Sequence, residues 1–383
     1  MCIRDSHGGV LPRSKGYVYE SGLHVPMVVY IPEKWKHLSP EKTGNRTDAF
    51  VQFIDLAPTV LNLAGLKIPE QFDGNPFLGK EVTIENLNNR NTTFGYADRF
   101  DEKYDLVRSL RKGKYKYIRN YQPFNVDALF NFYRYKMLAY KEWQQLFEDG
   151  KLNKEQDQFF KARTPEALYD LEKDPHEVHN LVADPSYNST LKELRSNLQD
   201  QVKSMPDLSF YPEPYFLEAG LSSPVAFGQQ NKSEISELVT IADLSLKPFD
   251  QSKAAIEKAL KSDNPWKKYW GMIVCSSFGK EAYPFFKIAA KLSKNDRNNL
   301  VRLRAVEFLT LHGQDVPSDL ILEIIKNAKS ETETNLILNS IALLKTVRPG
   351  FKLNIPKTMF PSDWVNQEGD LVSRRADFIN RDH

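Results

Sequence analysis

The chain has 383 residues, 41% hydrophobic and 27% charged, which is enough for two or three globular domains. Its formal net charge is only +2, so composition excludes the strongly basic classes of protein and predicts no nucleic-acid partner. The sequence has no run of about 18 apolar residues and therefore predicts no membrane-spanning segment. Two distant cysteines, Cys2 and Cys275, indicate neither a metal-ligand spacing nor a disulfide framework.

The first segment whose side chains could bind a ligand or take part in catalysis is rich in glycine. His7 precedes two glycines, so the backbone there can approach a ligand closely and the imidazole can serve as a metal ligand. Lys15 offers an ammonium group that can hold an anionic oxygen. Glu20 is more typical of a structural carboxylate than of an acid or base. None of these residues is specific alone, because a lone histidine is more often structural and most lysines are simply solvated.

The next elements are a strand and a helix. Residues 25–31 form a β-branched run that predicts a short buried strand. Residues 48–63 are amphipathic and predict a helix that Asp48 caps and Gly65 ends. Pro58 interrupts that pattern, so the helix is expected to be kinked or in two parts.

Farther along, the hydrophobic period changes to that of strands. Residues 94–97, 105–110 and 115–119 alternate, with a turn at Lys112-Gly113, and predict a β-meander whose basic residues line its wet face. An aromatic-rich helical segment follows.

Two shorter elements and a boundary come next. Residues 168–171 predict a short strand that ends in a turn, and residues 188–205 predict an amphipathic helix. Residues 206–224 hold four prolines and form the best candidate for a domain boundary.

The last large segment is purely helical and repeats itself. Residues 266–279 can be aligned with residues 300–313, and residues 335–345 fit more loosely as a third unit. The distance along the chain from residue 266 to residue 300 is typical of the period of paired-helix repeats. Cys275 lies in an apolar helical pattern and is expected to be a buried thiol.

Three ordered motifs stand out between residues 6 and 205. They are His7-Gly8-Gly9 with Lys15-Gly16, Tyr19-Glu20-Ser21-Gly22 and Val25-Pro26; Asp55-Leu56-Ala57-Pro58-Thr59 through Gly65; and Leu168-Tyr169-Asp170-Leu171 with Asp174-Pro175, Glu177 and Asn180-Leu181. Together they resemble the motifs of type I sulfatases, members of the alkaline-phosphatase-like superfamily. The meander that ends in Lys114–Arg119 is similar to the small antiparallel subdomain of the family.

The resemblance implies a mechanism and a site. Such sulfatases bind one Ca²⁺ ion and use a formylglycine, made from the first residue of a Cys/Ser-x-Pro-x-Arg motif, whose hydrated form attacks the sulfate sulfur. His7 matches the second residue of the family's metal-binding pair, and Lys15 matches the lysine that contacts sulfate. The implied substrate is a sulfated small molecule or polysaccharide, and the implied location is periplasmic or secreted.

The sequence departs from the family pattern in two places. Ser6 stands where the family has an aspartate, and a neutral hydroxyl is a weak calcium ligand beside a carboxylate. No cysteine or serine heads a Cys/Ser-x-Pro-x-Arg motif, so the formylglycine precursor is absent. We therefore expect a fragment of a sulfatase that is inactive by itself and whose strand at residues 25–31 keeps exposed apolar faces.

The predicted fold class is α/β, a truncated alkaline-phosphatase-like catalytic domain with a small antiparallel β-sheet subdomain, followed by an all-α helical-repeat (HEAT-like) domain. The expected divisions are a spurious leader (1–6), the catalytic remnant (7–90), the C-terminal α+β subdomain (91–205), a proline-rich linker (206–245), the helical-repeat domain (246–346) and a tail (347–383). Two alternatives remain open: a phosphoester or phosphonate hydrolase of the same superfamily, and a non-catalytic repeat protein that exposes the aromatics around Trp266, Tyr269 and Trp270.

Overall fold

The computed structural model describes residues 2–4, 11–366 and 369–381. The chain forms two compact units whose segments alternate along the sequence. The first unit comprises Met1–Gly95, Ser109–Tyr117 and Leu168–Leu194; the second comprises Tyr96–Arg108, Ile118–Ala167 and Arg195–His383. The domain bounds expected from the sequence stay predictions.

The regular elements are mostly helical. The strands are β1 (Cys2–Arg4), β2 (Met27–Val29), β3 (Thr92–Phe100), β4 (Lys103–Lys112), β5 (Tyr115–Asn120) and β6 (Glu166–Asp170). The helices are α1 (Glu20–Leu23), α2 (Leu56–Leu63), α3 (Ile84–Asn88), α4 (Phe132–Tyr135), α5 (Leu138–Glu148), α6 (Lys154–Asp157), α7 (Asn188–Ser204), α8 (Glu213–Ala219), α9 (Pro224–Gln230), α10 (Lys232–Ala242), α11 (Phe249–Leu260), α12 (Pro265–Phe278), α13 (Phe286–Asn295), α14 (Asn299–Leu311), α15 (Ser318–Lys326), α16 (Glu331–Val347) and α17 (Leu371–Asn380).

The strand predicted at residues 25–31 is shorter, and it is not buried. β2 pairs antiparallel with β1, with Val29 opposite Cys2. Val28 is 63% exposed and Tyr30 is 66% exposed. The apolar side chains of this strand are therefore open to solvent, as the sequence predicted.

The helix predicted from residue 48 begins later. A short 3₁₀ turn, Phe53–Asp55, leads into α2, and Asp55 rather than Asp48 closes the capping box with Gln52. Pro58 lies in the first turn of α2, where a missing N–H leaves no helical hydrogen bond unmade, so the break precedes it. Gly65 ends the helix with a φ of +72°, as predicted.

The meander is confirmed, but the prediction that its basic residues face water is wrong. Its strands form a four-stranded sheet in the order β3–β4–β5–β6. Arg108, Lys116 and Arg119 are all buried. Each contacts one or more carboxylates, which offsets the free energy lost when a charge leaves water.

The elements after the meander mostly agree with their predictions. β6 overlaps the predicted strand at residues 168–170. The aromatic-rich segment, residues 130–152, was predicted as one helix and forms two shorter ones, α4 and α5. On α7 the predicted apolar positions Leu191, Leu194, Leu198 and Val202 are buried.

Residues 249–347 form three helix pairs within the second unit. In each pair the second helix is buried on nearly all sides, and α14 contacts both α12 and α16. Asn264 caps α12 and Asn298 caps α14 in the same way, each accepting two backbone N–H groups. The two caps have the spacing of the predicted repeat, which itself remains a prediction.

Side chains flagged in the sequence of this helical segment lie in its core. Trp266, Tyr269 and Trp270 are buried, and Cys275 is a fully buried free thiol whose pKa is raised by burial. The aromatics therefore do not form the exposed surface that an interaction protein would need. None of the helices in the described ranges has both the length and the apolar character needed to cross a membrane.

Candidate functional site

Of the two predicted site residues, the structure describes one. His7 and its neighbour Ser6 lie outside the described residues. Lys15 is half-buried in the loop of the first unit that precedes α1. In this loop the Ser14 hydroxyl donates to the Leu11 carbonyl oxygen at 2.6 Å, and the Tyr17 N–H donates to the Ser14 carbonyl oxygen at 3.1 Å. The turn that carries Lys15 is thus closed by hydrogen bonds on both sides.

Glycine is required where α1 packs on this loop. A Cβ atom at Gly22 would overlap the carbonyl oxygens of Ser14 and Tyr17. The neighbouring Ser21 hydroxyl donates to the Arg13 carbonyl oxygen at 2.7 Å. The Glu-Ser-Gly part of the first motif therefore holds the Lys15 turn in place.

Arg13 fastens the same loop to the turn after β6. Its guanidinium donates to the carbonyl oxygens of His176 at 2.7 Å and Glu177 at 3.0 Å. It also lies 4.0 Å from the ring centroid of Tyr19, a cation–π distance. The first and third sequence motifs therefore meet in space within the first unit.

A cluster of four charged side chains, called here the Glu20 cluster, joins these motifs to the meander. It consists of Glu20, Arg111, Lys116 and Glu177. The Lys116 ammonium lies 3.1 Å from Glu20 Oε1 and 3.1 Å from Glu177 Oε1. Arg111 contacts Glu20 Oε2, and Glu177 Oε2 accepts the Glu20 backbone N–H at 2.6 Å. Lys116 is 1% exposed and Glu177 is 2% exposed, so this is a buried ion pair with additional hydrogen bonds.

The two carboxylates of the cluster respond differently to their surroundings. Burial alone would raise the pKa of Glu20, but a hydrogen bond from His24 and the charges of Lys116 and Arg111 lower it to about 2. For Glu177 burial dominates, and its pKa is raised despite Lys116. A carboxylate with so low a pKa is a poor proton donor near neutral pH, so Glu20 has a structural role.

We expect the Glu20→Gln variant to lose less stability in its first unit than the parent does when the pH falls. The folded-state pKa of Glu20 lies below its ordinary value of 4.5, so its ionised form stabilises the fold above that value and loses this contribution as the pH falls toward 2. Glu177 acts in the opposite direction, since a raised folded-state pKa makes its contribution more favourable as the pH falls. Hydrogen exchange of amides in α1 and in residues 115–117 of β5, corrected for the intrinsic exchange rate and compared with the parent at each pH, checks this in the first unit.

The matched control for that measurement is Glu70→Gln, which changes an exposed carboxylate of the same unit. It should shift stability equally at each pH. If Glu20→Gln and Glu70→Gln had the same pH profile, the ionised state of Glu20 would contribute nothing to the fold.

The second motif, which begins at Asp55, is also structural. The Asp55 carboxylate accepts the backbone N–H groups of Gln52 and Asn75, both at 2.8 Å. The Thr59 hydroxyl donates to the Asp55 carbonyl oxygen at 2.6 Å and accepts the Phe77 N–H at 3.0 Å. These bonds tie the start of α2 to the loop that follows it.

The third motif shapes the turn that receives Arg13. Asp174 Oδ2 accepts the backbone N–H groups of Val178 at 2.9 Å and His179 at 2.7 Å. Asn180 Oδ1 accepts the Leu168 N–H at 3.0 Å. Glu177 has a φ of +54°, and this unusual backbone conformation directs its carbonyl oxygen to Arg13 and its carboxylate to Lys116. The motif therefore positions Glu177.

Arg13, Arg111 and Lys116 were not identified from the sequence as parts of this arrangement. For Lys116 the sequence did contain a signal. Lys116 and Ile118 lie on the same face of β5, and a lysine on an apolar face indicates a buried ion pair. The other two carry no local signal, because their partners lie far away in the sequence.

Across the part of the chain that the structure describes, no three His, Cys, Asp or Glu side chains come together in a way that could hold a metal ion. The carboxylates of the Glu20 cluster are already balanced by Lys116 and Arg111. The described residues alone therefore offer no complete set of ligands for the calcium ion that the family resemblance implies.

Comparisons with known proteins agree with these motifs. Residues 13–158 match the family model for the C-terminal region of N-sulphoglucosamine sulphohydrolase. An ulvan-active sulfatase of Formosa agariphila is 38% identical over 208 residues, which covers 54% of this chain and 33% of that protein. A second ulvan-active sulfatase of the same organism is 30% identical over 198 residues, 50% of this chain and 35% of that protein.

This region is similar to the C-terminal part of a sulfatase. The chain spans about a third of the length of the two curated relatives. A solved structure of BT4656 in complex with its substrate D-glucosamine-2-N,6-O-disulfate is 19% identical and covers 40% of this chain and 24% of that chain. With a TM-score of 0.26, this structure supports no conclusion about the fold or function of the chain.

Proposed function

We propose that this chain contributes the C-terminal part of an enzyme that hydrolyses sulfate esters of a polysaccharide or of a smaller sulfated sugar. The observation that carries the proposal is the 38% identity to an ulvan-active sulfatase over 208 residues. The proposal includes a Ca²⁺ ion bound through His7, a formylglycine nucleophile, and a periplasmic or secreted enzyme.

Lys15 is the residue of this chain to which the proposal gives a direct role. Its ammonium group would contact the oxygens of the sulfate ester and offset the negative charge that grows on the leaving oxygen as the S–O bond breaks. A rigid support favours this role, because a charge that is already in place needs no reorganisation during the reaction. The hydrogen-bonded turn, Gly22 and Arg13 supply that support.

The 383 residues contain no candidate for the nucleophile. Neither cysteine heads a Cys-x-Pro-x-Arg motif and no serine heads the corresponding Ser-x-Pro-x-Arg motif. We therefore expect the chain alone not to hydrolyse sulfate esters.

Exposed apolar side chains on the first unit support the proposal that it packs against another part of the enzyme. Between residues 11 and 66 many large apolar side chains are exposed; Phe53 is 60% exposed and Val60 is 65% exposed. The others are Leu11, Leu23, Met27, Val28, Tyr30, Trp35, Ile54, Leu63 and Leu66. A soluble monomer rarely exposes so much apolar surface, so we propose that these residues pack against the portion of the enzyme that holds the nucleophile.

A chimaeric enzyme tests the proposal. The part of the Formosa agariphila sulfatase that precedes its matched region is joined to residues 7–383 of this chain, so that His7 is kept, and produced together with a formylglycine-generating enzyme. We expect the chimaera to release sulfate from ulvan. Lys15→Ala should lower kcat by about 10²-fold, since removing one preorganised charge from a site costs about that much.

Lys67→Ala is the matched control, because Lys67 is an exposed lysine of the same unit. It should leave kcat within about twofold, on the order of an exposed surface change. A chimaera that folds and carries formylglycine but releases no sulfate would overturn the proposed function. Equal rates for Lys15→Ala and Lys67→Ala would remove Lys15 from the sulfate site.

A further inference from the structure

Positive charge is concentrated in one stretch of the second unit. From residue 253 to residue 297 there are ten lysines and arginines against four aspartates and glutamates. This segment is therefore at +6, whereas the whole chain is at only +2. Such a local excess of one sign creates an attractive field for an anionic partner even when the net charge is small.

The excess has an ordered centre on α13, called here the lysine stripe. It consists of Lys287, Lys291 and Lys294, all exposed. Residues four and seven places apart lie on one face of a helix, so the three ammonium groups follow each other along about 10 Å of its axis. The opposite face of the helix is buried through Ala289 and Ser293, and this fixes the stripe toward solvent.

Carboxylates are also missing from the part of the chain that carries the stripe. The segment from residue 282 to residue 295 contains no Asp or Glu. Within the described ranges these three lysines form no ion pair, whereas nearby lysines do: Lys267 pairs with Glu237 and Lys268 with Asp296. Three adjacent like charges repel one another, so the stripe is stabilised when an anion binds across it.

We propose that the lysine stripe binds a sulfated polysaccharide. A polymer with regularly placed sulfate groups can contact all three ammonium groups at once, and each contact releases counterions. The surface is inferred from the charges alone, and the choice of a sulfated sugar polymer as occupant rests on the proposed function. Binding here would retain the polymer at a surface of the second unit.

The test measures binding of the intact 383-residue chain to dextran sulfate, with uncharged dextran as the matched polymer without sulfate. We expect dextran sulfate to bind with a Kd that rises steeply with salt, and dextran not to bind. The triple variant Lys287→Gln, Lys291→Gln, Lys294→Gln should weaken binding at least about tenfold and lower the slope of log Kd against log salt by about two, by analogy with counterion release from nucleic acids.

The control is the triple variant Lys232→Gln, Lys326→Gln, Lys329→Gln, which removes the same charge from exposed lysines elsewhere in the second unit. It should bind within about twofold of the parent. Equal losses in the two triple variants would overturn the stripe as the site. Tighter binding of duplex DNA than of dextran sulfate at equal salt would overturn the choice of occupant. Because binding needs no turnover, failure of the sulfatase proposal and failure of the stripe are seen separately.

Discussion

Replacement of Lys116 by methionine is expected to destabilise the first unit by about 3–5 kcal/mol. Methionine keeps most of the apolar stem of the side chain but removes the ammonium group that contacts Glu20 and Glu177. Glu177 then remains buried without its cation, and its carboxylate must either protonate or draw water into the cluster. The loss is large because a charge that stays buried after its partner is removed keeps its full desolvation penalty.

The effect should be confined to the first unit. Hydrogen exchange of amides in α1 and in residues 115–117 of β5, which belong to the first unit, reports local unfolding free energies and resolves the effect where a single unfolding transition would mix the two units. Lys112→Met is the matched control, since Lys112 pairs with Glu193 at the surface and should contribute less than about 1 kcal/mol.

The double variant Lys116→Met, Glu177→Gln separates lost charge from lost packing. It should regain part of the stability, because the amide that replaces Glu177 is neutral. No recovery in the double variant, or equal losses for Lys116→Met and Lys112→Met, would contradict a buried ion pair at Lys116.

Hydrophobic period predicted most of the secondary structure. The meander, β6 and α7 all lie close to their expected bounds, because their apolar positions alternate or recur within each segment. The start of α2 was predicted several residues too early. Asp48 has a residue type that caps helices, but the capping box that forms uses Gln52 and Asp55.

The burial of charged side chains was predicted less well, because their partners lie far away in the sequence. Arg108 lies between Asp98 and Asp207, and the second of these carboxylates comes 99 residues later in the chain. An alternating strand shows which residues share a face, but not which distant carboxylate will cover that face. The same applies to Lys116 and Glu177.

For the candidate site, the sequence identified the motifs but did not show what each of them does in the structure. Asp55, Asp174 and Asn180 were parts of a family resemblance, and in the structure each of them accepts backbone N–H groups from a neighbouring loop or strand. Lys15 lies on a turn that Gly22 and Arg13 hold in place, and its role at a sulfate site stays a prediction. Roles of this kind depend on which loops meet, and no local pattern encodes that.

Arg119 is a second buried cation, and Arg119→Met is expected to destabilise the second unit by about 3–5 kcal/mol. Its guanidinium donates to Asp243 Oδ1 at 3.1 Å and to the Ser245 hydroxyl at 2.8 Å. It also donates to the carbonyl oxygens of Asn120, Pro165 and Ala242. The side chain thus joins the end of β5 to the turn after α10, and its loss leaves several buried acceptors unsatisfied.

Geometry as well as charge matters at this position, and Arg119→Lys tests that. A lysine keeps the charge but cannot reach five acceptors from one planar group, so it should recover less than half of the loss. Hydrogen exchange of amides in residues 118–120 of β5 and in α10, which belong to the second unit, measures both variants. Arg99→Met is the control because Arg99 pairs with Glu213 at a partly exposed site. If Arg119→Lys matched the parent, a point charge would suffice and the five-acceptor arrangement would not be what stabilises this junction. If Arg119→Met behaved like Arg99→Met, the buried guanidinium would contribute no more to the second unit than a surface pair.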